Sequence, residues 1–99
     1  MVIVTNISYP PESAKDMATR FLEAPQLPDY VTRRGPYINA TTDDGIITLS
    51  IYELDNAKLA EGSQFIGDYM ATFFGVSGFK YQMRPFFEID EALKMIGMG

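Results

Sequence analysis

An α+β fold is predicted, with elements in the order β-α-β-β-α-β and one more helix toward the C-terminus. Three observations predict it. Residues 45–55 read Gly-Ile-Ile-Thr-Leu-Ser-Ile-Tyr-Glu-Leu-Asp, so Ile47, Leu49 and Ile51 alternate with Thr48, Ser50 and Tyr52. That is the period of two expected of a strand. The strand lies between a turn signal, Asp43-Asp44-Gly45, and a helix start, Asp55-Asn56, which suits a central strand with a hairpin before it and a crossover helix after it. Two longer segments, one on each side, carry apolar residues at helical spacing and end at Pro or Gly.

Taken in order, Val2 to Ser8 is a β-branched first strand, closed by Tyr9-Pro10-Pro11. Proline cannot continue a strand interior but suits the first turn of a helix. From Pro11 to Ala24, residues Ala14, Met17, Ala18, Phe21 and Leu22 form an apolar stripe, with Glu12 complementing the helix dipole. Pro25 and Pro28 stop that helix. Val31 to Thr41 is the second strand, and the Gly35-Pro36 pair inside it predicts an edge position or a bulge. Thr42 to Gly45 turns the chain into the 45–55 strand as a β-hairpin. Asp55 or Asn56 caps the next helix, which runs to about Phe74 with Leu59, Gly62, Ile66, Tyr69, Met70 and Phe73 on one stripe. Gly62 and Gly67 weaken its intrinsic helicity and permit close approach to a sheet; Gly75 is the expected C-cap. Phe79 to Phe87 is the last strand. Glu88 to Met98 is a short helix capped by Asp90, with Ile89, Leu93 and Ile96 apolar. Strand-helix-strand repeated twice predicts a ferredoxin-like, four-stranded antiparallel sheet with both long helices on one face.

Ninety-nine residues make a single domain, 46% hydrophobic and 21% charged. A domain of this size buries only about 60–65% of its unfolded surface, so association would relieve a marginal core. The net charge of −5 opposes nucleic acid and anionic lipid. Cysteine and histidine are both absent, which removes disulfides, thiolate chemistry, sulfur-ligated metals, the usual neutral-pH base and the commonest metal ligand. No Asp/Glu spacing suggests an all-oxygen metal site, and no cofactor is expected. Nothing near Met1 resembles a signal peptide, and no window approaches the ~20 apolar residues of a membrane helix. A soluble cytoplasmic protein is the expectation. Asn6-Ile7-Ser8 and Asn39-Ala40-Thr41 match the glycosylation sequon, a chance match without secretion.

Two helices on one side leave the other face of the sheet bare. Ile47, Leu49 and Ile51, with Ile38 and Ala40, are expected to face the helices, as are Tyr81 and Met83. Tyr37, Asn39, Thr48, Ser50 and Tyr52, with Gln82, Arg84 and Phe86, are then expected on the bare face. A register slip of one residue would exchange these sets. Tyrosine pairs an apolar ring with a hydrogen-bonding tip, so such a face suits a lined pocket. Two such sheets facing each other across a two-fold axis would enclose a cavity. Its candidate ligand-binding residues are Tyr37, Asn39, Ser50, Tyr52 and Arg84.

This layout, with Tyr9-Pro10-Pro11-Glu12 opening the first helix, resembles the dimeric α+β barrel superfamily over nearly the whole chain. The resemblance implies ferredoxin-like subunits that pair sheet to sheet as a homodimer. Members include cofactor-free monooxygenases, lactone isomerases, haem-degrading and haem-binding enzymes, and stress-responsive proteins. Its oxygenases use Asn, Trp or His in the cavity; here only Asn6 and Asn39 are available. An axial haem histidine is missing.

Several residues invite a sharper reading beside a plainer one. Arg33-Arg34 offers guanidinium forks for a carboxylate or phosphate, yet neighbouring strand residues face opposite ways, so at most one enters a cavity. The plain alternative is an edge-strand charge that discourages aggregation. Arg84, flanked by apolar residues, is the preferred anchor for an anion. Tyr37, Tyr52 and Tyr81 could protonate a carbonyl only with a perturbed phenol, since the ordinary value is about 10. Asp43-Asp44 belongs to a turn. Glu88, Asp90 and Glu91 serve the last helix, and Met95 and Met98 suit docking on a partner. Phe73-Phe74 and Phe86-Phe87 fit core and dimer contact. The favoured function is a homodimer that holds a small organic molecule bearing a carbonyl or carboxylate, with cofactor-free isomerisation or oxygenation as its possible chemistry. No catalytic residue can be named. A purely structural or regulatory association module is the alternative, and an RNA-binding module comes third.

Overall fold

In the computed structural model, which describes residues 1–99, four strands form one antiparallel sheet and three helices accompany it. The elements are β1 (Val2–Tyr9), α1 (Ala14–Glu23), β2 (Thr32–Thr41), β3 (Gly45–Glu53), α2 (Leu59–Ala71), β4 (Lys80–Phe86) and α3 (Ile89–Met95). Short 3-10 turns, Pro11–Ser13 and Asn56–Lys58, lead into α1 and α2. The sheet order is β2-β3-β1-β4, so β1 and β3 are central. Ile3 lies opposite Tyr52, Thr5 opposite Ser50 and Ile7 opposite Thr48.

β1 alternates perfectly between buried and half-buried residues, and Ile3, Thr5, Ile7 and Tyr9 are its inward set. Both long helices cover that side. Ile7 and Tyr9 pack with Met17 of α1, with Tyr69 and Met70 of α2 and with Phe73 just beyond it; Ile3 packs with Val31, Tyr52 and Ile66. Ile66 is completely buried. Arg20 joins the two helices, donating to the carbonyls of Thr72 at 3.1 Å and Phe74 at 2.7 Å beyond the end of α2. It supplies positive charge where the helix leaves carbonyls unpaired.

The glycines of α2 act differently. A Cβ on Gly62 would meet the end of the Leu54 side chain, beyond β3, so glycine there makes room for that side chain and not for a close approach to the sheet as expected; Gly67 has nothing within 4 Å. Gly45 closes the hairpin with φ +73, and a Cβ there would lie 2.6 Å from the Tyr9 carbonyl oxygen. Thr41 Oγ1 secures the turn by accepting from Asp44 N–H at 3.0 Å and donating to the Gly45 carbonyl at 2.9 Å. Between Arg34 and Tyr37 the β2–β3 register slips, at Gly35-Pro36, on the sheet edge as predicted.

Three boundary expectations need correction. α2 ends at Ala71, with Thr72 as its C-cap, and a series of tight turns reaches Gly75 (φ 94). Asn56 makes no cap bond; its side chain accepts from the Met1 amine at 2.8 Å and donates to Glu91 at 2.9 Å. α3 begins after Glu88 rather than at Asp90, because Glu91 reaches back to accept from the Glu88 N–H at 2.9 Å. The Met1 amine lies 2.6 Å from the same Glu91 carboxylate. No helix is long and apolar enough to cross a membrane.

Candidate functional site

The pairing register decides which residues share a face. Opposite partners in a ladder point the same way, so Thr48, Ser50 and Tyr52 join the inward residues of β1. Ser50 and Tyr52 are buried on the helix side. Ile47, Leu49 and Ile51 therefore lie on the open face, the reverse of the expectation for β3. Tyr37, Asn39, Gln82, Arg84 and Phe86 do lie on the open face, and Ile38, Ala40, Tyr81 and Met83 on the helix side. The five candidate ligand residues are thus divided: Tyr37, Asn39 and Arg84 on one face, Ser50 and Tyr52 on the other. They do not form one site.

The open face carries Val2, Val4, Ile47, Leu49, Ile51 and Phe86, with the polar Asn6 and Ser8 on the other half of central β1 and Asn39, Gln82 and Arg84 on the edge strands. Arg34 occupies one edge, held by Glu53 at 2.8 Å. Leu49, Tyr37 and Phe86 are exposed, and so are Ile89, Met95, Ile96 and Met98 in and after α3. Isolated exposed apolar residues are ordinary; here Val4 and Ile51 lie opposite each other on the two central strands, with Val2, Ile47 and Leu49 beside them. Where that face meets the 42–45 turn there is a depression of about 1080 Å³, bordered by Asn6, Ser8, Lys80 and Gln82. It is broad and open, and would leave a small molecule largely in water.

A narrower pocket of about 180 Å³ lies between the helices and the sheet. Met17 and Phe21 of α1, Tyr69 of α2, Phe73 just beyond it, and Ile7 and Ile38 of the sheet supply apolar wall. Its floor is the hydroxyl row Thr5, Thr48, Ser50 and Tyr52, brought together by the β1–β3 register. None of these four hydroxyls bonds within the chain, and no fully buried polar side-chain atom lacks a partner, so the row opens onto the pocket. Arg33 and Tyr69 stand together at one end. The Arg33 Nη1 donates to the Tyr69 hydroxyl at a long 3.5 Å. The guanidinium lies 5.5 Å from the Phe21 ring centre and 5.9 Å from that of Tyr69. Burial pushes the Tyr69 phenol above its ordinary value, against the opposing pull of Arg33. It therefore remains a neutral donor at physiological pH.

No protein-family model matches the chain. No curated protein sequence matches it either. Among solved structures, a tripeptidase from Staphylococcus aureus superposes on 99% of this chain with a TM-score of 0.47 and 13% sequence identity. This chain covers 35% of that protein's length. A likeness at that level carries no functional argument.

Of the pocket's polar lining, sequence reasoning singled out Ser50 and Tyr52, and weighed Arg33 only as half of an arginine pair. It missed Tyr69, Thr5 and the role of Thr48. The signal that finds them is β1: Ile3, Thr5, Ile7 and Tyr9 are bulkier on average than Val2, Val4, Asn6 and Ser8, and antiparallel pairing carries that choice of face across to β3.

Proposed function

We propose that this chain is a ferredoxin-like subunit of a homodimer, closed through the open faces of two sheets, and that each subunit binds a small organic molecule between its helices and its sheet. The observation that carries the reading is the 180 Å³ pocket, in which apolar walls meet an unpaired hydroxyl row and a cation. Binding sites have this character: mostly apolar, with a few converging polar groups. Dimerisation is supported by the aliphatic half of β3, which in a lone subunit would lie against water. The lining supports binding without catalysis. It contains no carboxylate or amine, and its tyrosines and arginine offer no base for neutral pH.

Native mass spectrometry of the purified protein tests both parts. The expected species is a dimer carrying extra mass that is lost on denaturation. A monomer at tens of micromolar overturns the dimer. A dimer that arrives empty and takes up no small aromatic compound overturns the binding site, and favours an association module whose exposed Ile89, Met95, Ile96 and Met98 would extend the contact.

A further inference from the structure

The guanidinium of Arg33 has no carboxylate. No ion pair of the chain includes it, although acidic residues outnumber basic ones thirteen to eight. Its neighbour Arg34 is paired with Glu53, and Arg20 with Asp16 and two carbonyls. Arg84 is exposed on the open face. Arg33 is half-buried, as Arg20 is, but it alone is set against two aromatic rings and bonded only by the long contact to Tyr69. A guanidinium carries five N–H donors in a planar fork, so most of its hydrogen-bonding capacity remains unused. A fork of this kind matches a carboxylate two bonds at a time.

We propose that the pocket takes a small cyclic monocarboxylate, with its carboxylate on Arg33 and its ring between Met17, Phe21 and Phe73. The inference rests on the pocket being a ligand site. The charge count selects a monoanion: one cation lines the pocket and no acidic residue does. A dicarboxylate or a phosphate dianion would bring a second charge into apolar surroundings with nothing to neutralise it. The volume selects one ring. A dry protein cavity of about 150 Å³ accommodates benzene, and this pocket is slightly larger. The hydroxyls of Thr48 and Ser50, on the floor, select among ring substituents that accept or donate a hydrogen bond. Tyr69, protonated and beside Arg33, adds an O–H donor to the same carboxylate.

The test is an amide-resolved NMR titration of the full chain with benzoate and with benzamide, which has the same shape without the charge. Benzoate is expected to bind more tightly, shifting amides of Arg33, Ser50 and Tyr69. Arg33→Gln should weaken benzoate about tenfold or more while leaving benzamide unchanged, as loss of a charge-assisted contact requires. Arg33→Lys, which keeps the charge and loses the fork, should fall between them and carries the comparison if R33Q does not fold. Equal binding of the two probes, or benzoate binding that R33Q leaves intact, overturns the carboxylate assignment and leaves the pocket standing. Shifts confined to residues outside the pocket, or no binding by either probe, overturn the binding site as well.

Discussion

Leu49→Asp separates an interface from an ordinary sheet surface. Leu49 lies mid-strand on the open face, opposite Asn6 on β1 and Tyr37 on β2. In a lone subunit it is 36% exposed, so an aspartate there keeps contact with water. The cost to the fold is then about 1–2 kcal/mol, the part of the leucine burial that is lost. In a sheet-to-sheet dimer the same carboxylate is trapped among aliphatic side chains. Effective penalties for such an ion reach several kcal/mol; about 2–3 kcal/mol per copy is reasonable for a face that can relax. A two-fold interface contains the position twice, so the total is about 5 kcal/mol, between three and four decades in Kd. Sedimentation velocity at about 10–100 µM reads the result directly. Wild type should sediment as a dimer and L49D as a monomer that still unfolds in one cooperative transition, at a thermal midpoint lowered by several degrees. Two monomers, or an L49D dimer of undiminished affinity, would refute the interface argument.

Three further outcomes are expected. Ile66→Ala, at a completely buried position between β1, β3 and α2, should destabilise the protein by roughly 2–5 kcal/mol in urea unfolding, and a loss under 1 kcal/mol would show that the site collapses freely. Gly67→Ala should stabilise by about 0.5–1 kcal/mol because nothing lies within reach of the new methyl, whereas Gly45→Ala should destabilise through its φ and the Tyr9 carbonyl; the same sign for both contradicts the helix-propensity account. Docking of α3 should depend on pH at both ends. The Met1 amine, then the Glu88 N–H and the Asn56 amide, hold the Glu91 carboxyl down to about 2, so its contribution is complete above pH 4.5, declines below that and is lost as pH falls through about 2. The amine is raised by Glu91, so its contribution is full below pH 8.0 and lost as pH rises beyond. NMR shifts of residues 88–95 should be level between these limits, and Glu91→Gln should abolish the acid limb; a limb that persists in E91Q assigns it to another group.

The element order was readable because each boundary is a local event. Pro10-Pro11, Pro25 with Pro28, the Asp43-Asp44-Gly45 turn and the Gly75 to Gly78 stretch interrupt the chain where the structure does. Helical spacing at Met17 and Phe21, and at Ile66, Tyr69 and Met70, marked the helix faces that meet the sheet, while Leu22 of the same α1 stripe is 81% exposed and Phe73 packs from beyond the end of α2. Caps were less readable. Asp90 has the better intrinsic preference, yet Glu88 opens α3 because Glu91 is held by Asn56 and the Met1 amine, partners remote in the chain.

The site was hardest to read because its residues obey a tertiary rule. Ranking β3 by hydrophobicity places Ile47, Leu49 and Ile51 inward, which is correct for a sheet with one wet face. Here Thr48, Ser50 and Tyr52 point inward to a pocket that leaves room for hydroxyls, and the aliphatic residues are left for the other face. By itself the sequence determined the α+β class, the order of elements, the hairpin and the excluded thiolate and imidazole chemistries, since these depend on local dihedral preference and composition. Only the tertiary structure decided which half of β3 is buried and which arginine meets the pocket. Alternation says that two faces differ; the register against β1 says which of them lies under the helices.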